Sequence, residues 1–315
     1  MLNREALGRW LPEHPLLRAL CQAKESCALL PQVVAVAEGL RPACDDWVPM
    51  RSLQTYRSVA ARLGLSVVPD VAFAGLPSSS AVGHGRLTTT RTLGRPVSEA
   101  GPDDRVHVFL ARNAEALDAV RRWGWYPVEV DGVIVPAGLA DAPRFGRAMG
   151  YPPCCVQSFL ANNRWSEVGH LHRLGSPGSA WWGLNFLPRH LGFGLIFHIP
   201  CSWRCAPSTR LAKATMEALK AMEPAYAALA EAAARTPTLF ASERVIYLLF
   251  SDEDGRLRPM FAGGDPVDEV LGERLEGASR LVLQEGWLGI DGERWVSPES
   301  MGGACTLLRF GEGES

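Results

Sequence analysis

Four cysteines carry the strongest chemical signal in this 315-residue chain. Cys154 and Cys155 are adjacent in the segment Gly150-Tyr-Pro-Pro-Cys-Cys-Val-Gln-Ser-Phe159. Cys201 and Cys205 stand with three residues between them in His198-Ile-Pro-Cys-Ser-Trp-Arg-Cys-Ala-Pro-Ser208. Thiolates bind soft metals and carry redox chemistry, and a helix N-terminus favours the thiolate over the thiol. Pro152 and Pro153 suit the first turn of a helix, so Cys154 and Cys155 are expected at its nose. Pro207 and Ser208 open a second helix just after Cys205, and Cys201 is expected at the end of an apolar strand over Leu195–Ile199.

The spacing bears on what such a site would hold. Cys201-x3-Cys205 is an acceptable zinc knuckle. A vicinal pair is not, because neighbouring residues on a helix point roughly 100° apart. An iron–sulfur cluster offers a separate iron to each thiolate, so the expected cofactor is a cluster of the 4Fe–4S type on Cys154, Cys155, Cys201 and Cys205. A single zinc or iron ion, metal-free thiol–disulfide chemistry and merely packed thiols are the alternatives.

Other residues could complete such a site. His198 precedes Cys201 by three residues and is a candidate ligand, hydrogen-bond donor to sulfur or proton carrier. Arg204 and Arg210 are candidates for attracting an anionic substrate. His170 and His172 form an H-x-H pair that shares a face if the segment is extended. Trp181, Trp182, Phe186, Phe193 and Phe197 read as core residues that could also wall a dry pocket.

The elements that must position these residues are legible from periodicity. Apolar residues at spacings of three and four predict helices over 15–28, 32–40 and 52–63, so residues 1–65 read as a helical region. Ser66–Ala74 and Arg105–Ala111 read as strands, Asn113 as the cap of a helix over 114–123, Pro127–Pro136 as a hairpin turning at Asp-Gly, and Leu139–Met149 as a further helix. The segment Gly75–Asp104 lacks periodicity and reads as a loop that could close over a site. A long helix closes the central region, broken at Pro224. Residues 245–250, 257–262, 280–285, 287–290 and 304–310 read as short strands, with a helix over 268–275. The fold class is therefore α+β, or small α/β, in three parts: the helical region 1–65, a mixed domain 66–236 with the cysteine site, and a small α+β domain 237–315. Cys21, Cys27 and Cys44 lack motif spacing and read as packed thiols.

Composition narrows the function classes. With 32 basic and 34 acidic residues the net charge is −2, and only Lys24, Lys213 and Lys220 are lysines. There is no basic stripe for nucleic acid, no apolar run of membrane-spanning length and no export signal, so the protein is placed in the cytoplasm. Disulfides are disfavoured there, which turns the cysteine cluster towards metal or redox use. No serine-hydrolase elbow or dinucleotide fingerprint is present.

The motifs G-Y-P-x-C-C and H-x-P-C-x3-C resemble the signature of an uncharacterised archaeal and bacterial family of unknown function, over roughly residues 105–214. The four cysteines are also loosely similar to the cysteine-rich iron–sulfur domains of heterodisulfide reductases. Val156 stands where those domains have glycine, and the second pair is C-x3-C. That likeness implies a cluster, not that activity. The expected function is an iron–sulfur enzyme, an oxidoreductase or lyase, acting on a small molecule, with an electron-donor protein as a possible partner. The competing readings are an accessory or scaffold protein with structural zinc, and a thiol oxidoreductase using Cys201 and Cys205.

Overall fold

The computed structural model describes residues 11–73, 95–123, 128–130, 133–135, 141–162, 173–174, 177–242, 245–251, 257–264, 277–278, 281–284, 287–295, 306–308 and 310. The fold is α+β. Helices α1 (Pro15–Lys24) and α2 (Leu30–Ala37) lead into strand β1 (Ala43–Pro49), helix α3 (Leu53–Arg62), β2 (Ser66–Phe73) and β3 (Arg105–Ala111). Strand β3 lies between β1 and β2 and is antiparallel to both, so β1–α3–β2 is a crossover split by a third strand.

Alternation along these strands divides the sheet into two faces. One face carries Cys44, Val48, Val67, Val106, Val108 and Leu110, packed against Leu20 of α1 and Leu53, Tyr56 and Val59 of α3. The other carries Ala43, Phe109 and Ala111, covered by Leu117 and Val120 of helix α4 (Ala114–Arg122) and by Met149. Buried side chains of this size contribute roughly 1.5–3 kcal/mol each. Residues 11–62 are not wholly helical: β1 is hydrogen-bonded to β3 over its whole length, which joins the N-terminal helices to the sheet. The sequence hides β1 because Asp45 and Asp46 interrupt its apolar pattern.

Helix α1 also faces a second core. Leu17 and Cys21 point away from Leu20 and Ala23, at the three- and four-residue steps of a two-sided helix. They pack on Trp182, Phe186, Phe193, Leu195 and Trp203, and on Met216, Leu219 and Tyr226 of helices α7 (Ala206–Met222) and α8 (Pro224–Arg235). The long helix does break at Pro224, which occupies the first position of α8. At that joint the buried Glu223 carboxylate accepts the backbone N–H groups of Glu13 (2.9 Å) and His14 (2.7 Å), just ahead of α1. A negative group there complements the positive end of the α1 dipole.

Leu195–Ile199 forms no strand, contrary to the pattern of its apolar residues. The segment is irregular and buried, and the Phe197 carbonyl accepts from the Arg189 guanidinium instead of a neighbouring strand. A Cβ on Gly194 would lie 2.7 Å from Arg189 Cβ, so the chain is pressed against the preceding 3-10 turn, Leu187–Leu191, where a sheet partner would have to stand.

Two short helices lead to the cysteines. Hairpin strands β4 (Val128–Val130) and β5 (Val133–Val135) precede α5 (Ala142–Ala148) and α6 (Pro153–Ala161). Towards the C-terminus β6 (Thr238–Ser242), β7 (Val245–Ser251), β8 (Leu257–Gly264) and β12 (Thr306–Leu308) form a sheet ordered β12-β6-β7-β8. Strands β9 (Leu281–Gln284), β10 (Trp287–Ile290) and β11 (Glu293–Trp295) form a meander. Its two-residue turn is Asp291-Gly292, both at positive φ (51° and 90°), the conformation that selects Asp-Gly. Most of the loop 75–104 and the helix expected over 268–275 lie outside the described residues. Among the described residues, no helix is long and apolar enough to cross a membrane.

Candidate metal centre

The sequence around Cys154 dictates a tight corner between α5 and α6. Helix α5 ends in a left-handed Gly150 (φ 75°), where Tyr151 N–H reaches back to the Gly146 carbonyl at 2.8 Å and Gly150 N–H to Arg147 at 2.9 Å. This closing turn satisfies helix-end carbonyls and requires a residue without a Cβ penalty. A side chain at 150 would also meet Pro42 Cδ at 2.6 Å. Gly146 lets α6 approach closely, since a Cβ there would lie 2.6 Å from Val156 Cγ2. Pro152 then caps α6 and Pro153 starts it. Cys154 and Cys155 are its next two residues, as the prolines predict.

Cys205 is the residue that opens α7. Cys201 precedes it in a turn closed by the Cys205 N–H to the Ser202 carbonyl at 3.1 Å. Trp203 anchors that turn, buried against Phe186 with stacked rings 6.1 Å apart.

The four sulfurs converge. Sγ of Cys154 lies 3.9 Å from Cys155 and 3.7 Å from Cys205, and Cys155 lies 3.5 Å from Cys205. All four Sγ atoms, Cys201 included, fall within 4.8 Å of one another. Neighbouring helix positions are expected to strain a vicinal pair against one small ion, yet the Cys154 and Cys155 sulfurs stand 3.9 Å apart on the same side. In the first turn of a helix there is no preceding turn for a side chain to strike, so the two χ1 angles are free to swing the sulfurs together.

Hydrogen bonds organise the inner side of the group. Cys155 Sγ accepts from the Cys201 N–H at 3.3 Å, and the Ser208 hydroxyl stands 3.3 Å from the sulfurs of both Cys155 and Cys205. His198 Nε2 lies 2.7 Å from that hydroxyl and is buried. With the serine proton directed at sulfur, the histidine donates to Ser208 from Nε2. His198 is outside the converging set of ligand atoms; it reaches the sulfurs through Ser208. Burial, with Arg41 and Arg189 nearby, holds it neutral and pushes its pKa down to about 3. Its ring packs on Tyr151 at 5.4 Å, and the Arg41 guanidinium lies over the other ring of that pair, 5.4 Å from the Tyr151 centroid.

The thiols differ electrically. Burial pushes Cys155 up and, with the Cys205 and Cys154 sulfurs as hydrogen-bond partners, Cys201 up to about 11. Burial opposes ionisation of Cys205 as well, but hydrogen bonds from Ser208 and from the Cys155 and Cys201 sulfurs outweigh it and bring Cys205 down to about 7. Four sulfurs within 4.8 Å of one another could hold a metal ion, whose binding would displace the thiol protons.

Arg204 is exposed, with Nη2 3.3 Å from the Ser179 hydroxyl, and Arg210 is exposed on α7. Trp182, Phe186, Phe193 and Phe197 are buried core residues, and Trp181 is half-buried. His170 and His172 lie outside the described residues. Ser208 was not anticipated as part of the site. Its spacing was the available signal: three residues after Cys205 in the first turn of a helix, it returns to the same side. Arg41 and Tyr151 give no comparable sign, since only the packing of β1 beside α5 brings Arg41 to the Met149 carbonyl (2.7 and 3.1 Å).

No protein-family profile, no curated protein and no solved structure matches the chain. The four-cysteine group gives the protein a site compatible with a metal ion.

Proposed function

We propose that Cys154, Cys155, Cys201 and Cys205 hold one tetrahedral metal ion, zinc by its ligand set, and that this ion joins the α5–α6 corner to the start of α7. The observation that carries the reading is the sulfur spacing. Four sulfurs about 2.3 Å from a single zinc stand about 3.8 Å apart. The three separations of 3.5, 3.7 and 3.9 Å surround that value. In a 4Fe–4S cluster each thiolate stands on its own iron, which spreads the sulfurs to roughly 6 Å. A closed set of four thiolates leaves no position for substrate, so the ion's contribution is structural. The chain's own residues prepare it: the Cys201 amide and the Ser208 hydroxyl orient the buried pair, and His198 fixes the serine.

On this reading the protein is a zinc-stabilised accessory or scaffold protein rather than an iron–sulfur enzyme. The test is elemental and acid-labile sulfide analysis of full-length protein prepared anaerobically. One zinc per chain without sulfide supports the reading. Substoichiometric zinc in Cys205→Ser and in Cys155→Ser strengthens it. Iron with an equal content of sulfide overturns it and restores the cluster enzyme.

A further inference from the structure

The four sulfurs are not equivalent, and the difference follows burial and hydrogen bonding together. Cys155 and Cys205 are buried, at 2% and 5% exposure. Both contact the Ser208 hydroxyl, and Cys155 accepts an amide N–H as well. Cys154 and Cys201 are only half-buried. Among the described residues, the sulfur of Cys154 has other sulfurs as its hydrogen-bond partners, and so has that of Cys201. A hydrogen bond to a thiolate draws charge from sulfur and weakens it as a nucleophile, and burial denies access to an attacking molecule. Both effects protect the same two cysteines and expose the other two.

We infer that the centre has an inert inner half, Cys155 and Cys205, and a reactive outer half, Cys154 and Cys201, that a peroxide oxidises to a disulfide with release of the ion. The inference rests on the single-ion reading above. In the first step the Cys154 thiolate attacks one peroxide oxygen, the O–O bond breaks, and the sulfur becomes a sulfenic acid while hydroxide departs. In the second, the Cys201 thiolate attacks that sulfur, the S–S bond forms and the sulfenic oxygen leaves as hydroxide. Two thiolates lose two electrons, one hydrogen peroxide gains them, and two protons from solvent complete two waters. The Sγ atoms of Cys154 and Cys201 lie within 4.8 Å, and Cys201 sits in an irregular turn that can close the remaining distance. Cys155 and Cys205 alone cannot retain zinc against solvent, because two of its four ligands are gone. The site is thus a peroxide-responsive one, with a disulfide that thiols reverse.

Two measurements decide this on the full chain. In the first, zinc-loaded protein is treated with an equimolar amount of hydrogen peroxide. Released zinc is followed with a chromogenic chelator, and disulfides are mapped by peptide mass spectrometry. One zinc released per Cys154–Cys201 disulfide is the expected result, with release slowed about ten-fold in Cys154→Ser. A disulfide containing Cys155 or Cys205, or release that precedes any disulfide, overturns the inference. The second measurement needs no variant: brief alkylation of zinc-loaded protein, in which all four sulfurs are thiolates, with iodoacetamide, read peptide by peptide. Label on Cys154 and Cys201 before Cys155 and Cys205 is expected, by a factor of about ten; equal or reversed order overturns it. Protein that holds no ion overturns the earlier reading, whereas zinc-bound protein labelled in another order overturns this inference alone.

Discussion

Two buried polar clusters on the β1–β3–β2 sheet show how single residues set stability. Lys24, on α1, and Asp46, on β1, are each 2% exposed at the side chain and form an ion pair at 2.6 Å. Tyr56 donates to the same carboxylate at 2.6 Å, and the Trp47 amide at 2.8 Å. The pair therefore cements α1 and α3 to the sheet, and every lone pair of the carboxylate that faces the core has a donor. Removing one partner leaves the other charged and dry. Asp46→Ala is expected to cost about 3–5 kcal/mol in denaturant unfolding, and Lys24→Met a similar amount, while the double replacement by apolar residues costs less than the sum. On the opposite face His107 lies between Asp70 (2.9 Å) and Asp45 (3.4 Å). Burial disfavours its charged form, but the two carboxylates outweigh burial and push it up to about 9 from 6.5. Its folded pKa is raised, so its contribution is complete below pH 6.5 and is lost as the pH rises through about 9. The magnitude is about 3 kcal/mol. Denaturant midpoints taken across that window should fall with rising pH in the natural protein and stay flat over it in His107→Gln. A midpoint that rises with pH would contradict the assignment.

At the scale of elements, the α5–α6 corner aims the vicinal cysteines. Gly150→Ala forces a Cβ into Pro42 at 2.6 Å and into a left-handed φ of 75°. The expected cost is about 2–3 kcal/mol, with reduced zinc content at equal protein concentration, because α6 must shift relative to α7. Asn113 is a control of the same kind away from the site. Its side chain accepts the Ala116 N–H at 2.9 Å as the cap of α4. Asn113→Ala should lower stability by about 1 kcal/mol in thermal unfolding and leave metal content unchanged. Loss of metal from that variant would mean that α4 stability feeds into the centre.

For the molecule as a whole, the four-cysteine group lies between two bodies of structure. On one side stands the α5–α6 corner, joined to β1 through Arg41 and the Met149 carbonyl. On the other stands the α7–α8 layer, joined to α1 through Glu223. Chelation of the ion should lower the unfolding temperature and raise hydrogen exchange over residues 200–208 and 153–158 before it does so in β3, at a cost of several kcal/mol. Uniform exchange throughout the chain would argue against a local staple.

The helices over 53–62 and 114–122, strands β2 and β3, the cap at Asn113 and the break at Pro224 are legible in the sequence, because each depends on periodicity or on a residue with one backbone use. The short helix noses that present Cys154, Cys155 and Cys205 follow from the prolines in the same way. Strand β1 was hidden by Asp45 and Asp46, polar residues whose partners Lys24, Tyr56 and His107 arrive from elsewhere in the chain. The strand expected over 195–199 was a misreading, since an apolar run specifies burial but not a hydrogen-bonding partner. The sequence by itself settled which cysteines could form a centre and that helix starts would carry three of them. Only the tertiary structure brought the four sulfurs within 4.8 Å of one another, with two buried and two half-buried. Sulfur–sulfur distances and solvent access depend on how distant segments pack and on χ1 freedom at a helix nose, and neither is encoded in residue spacing.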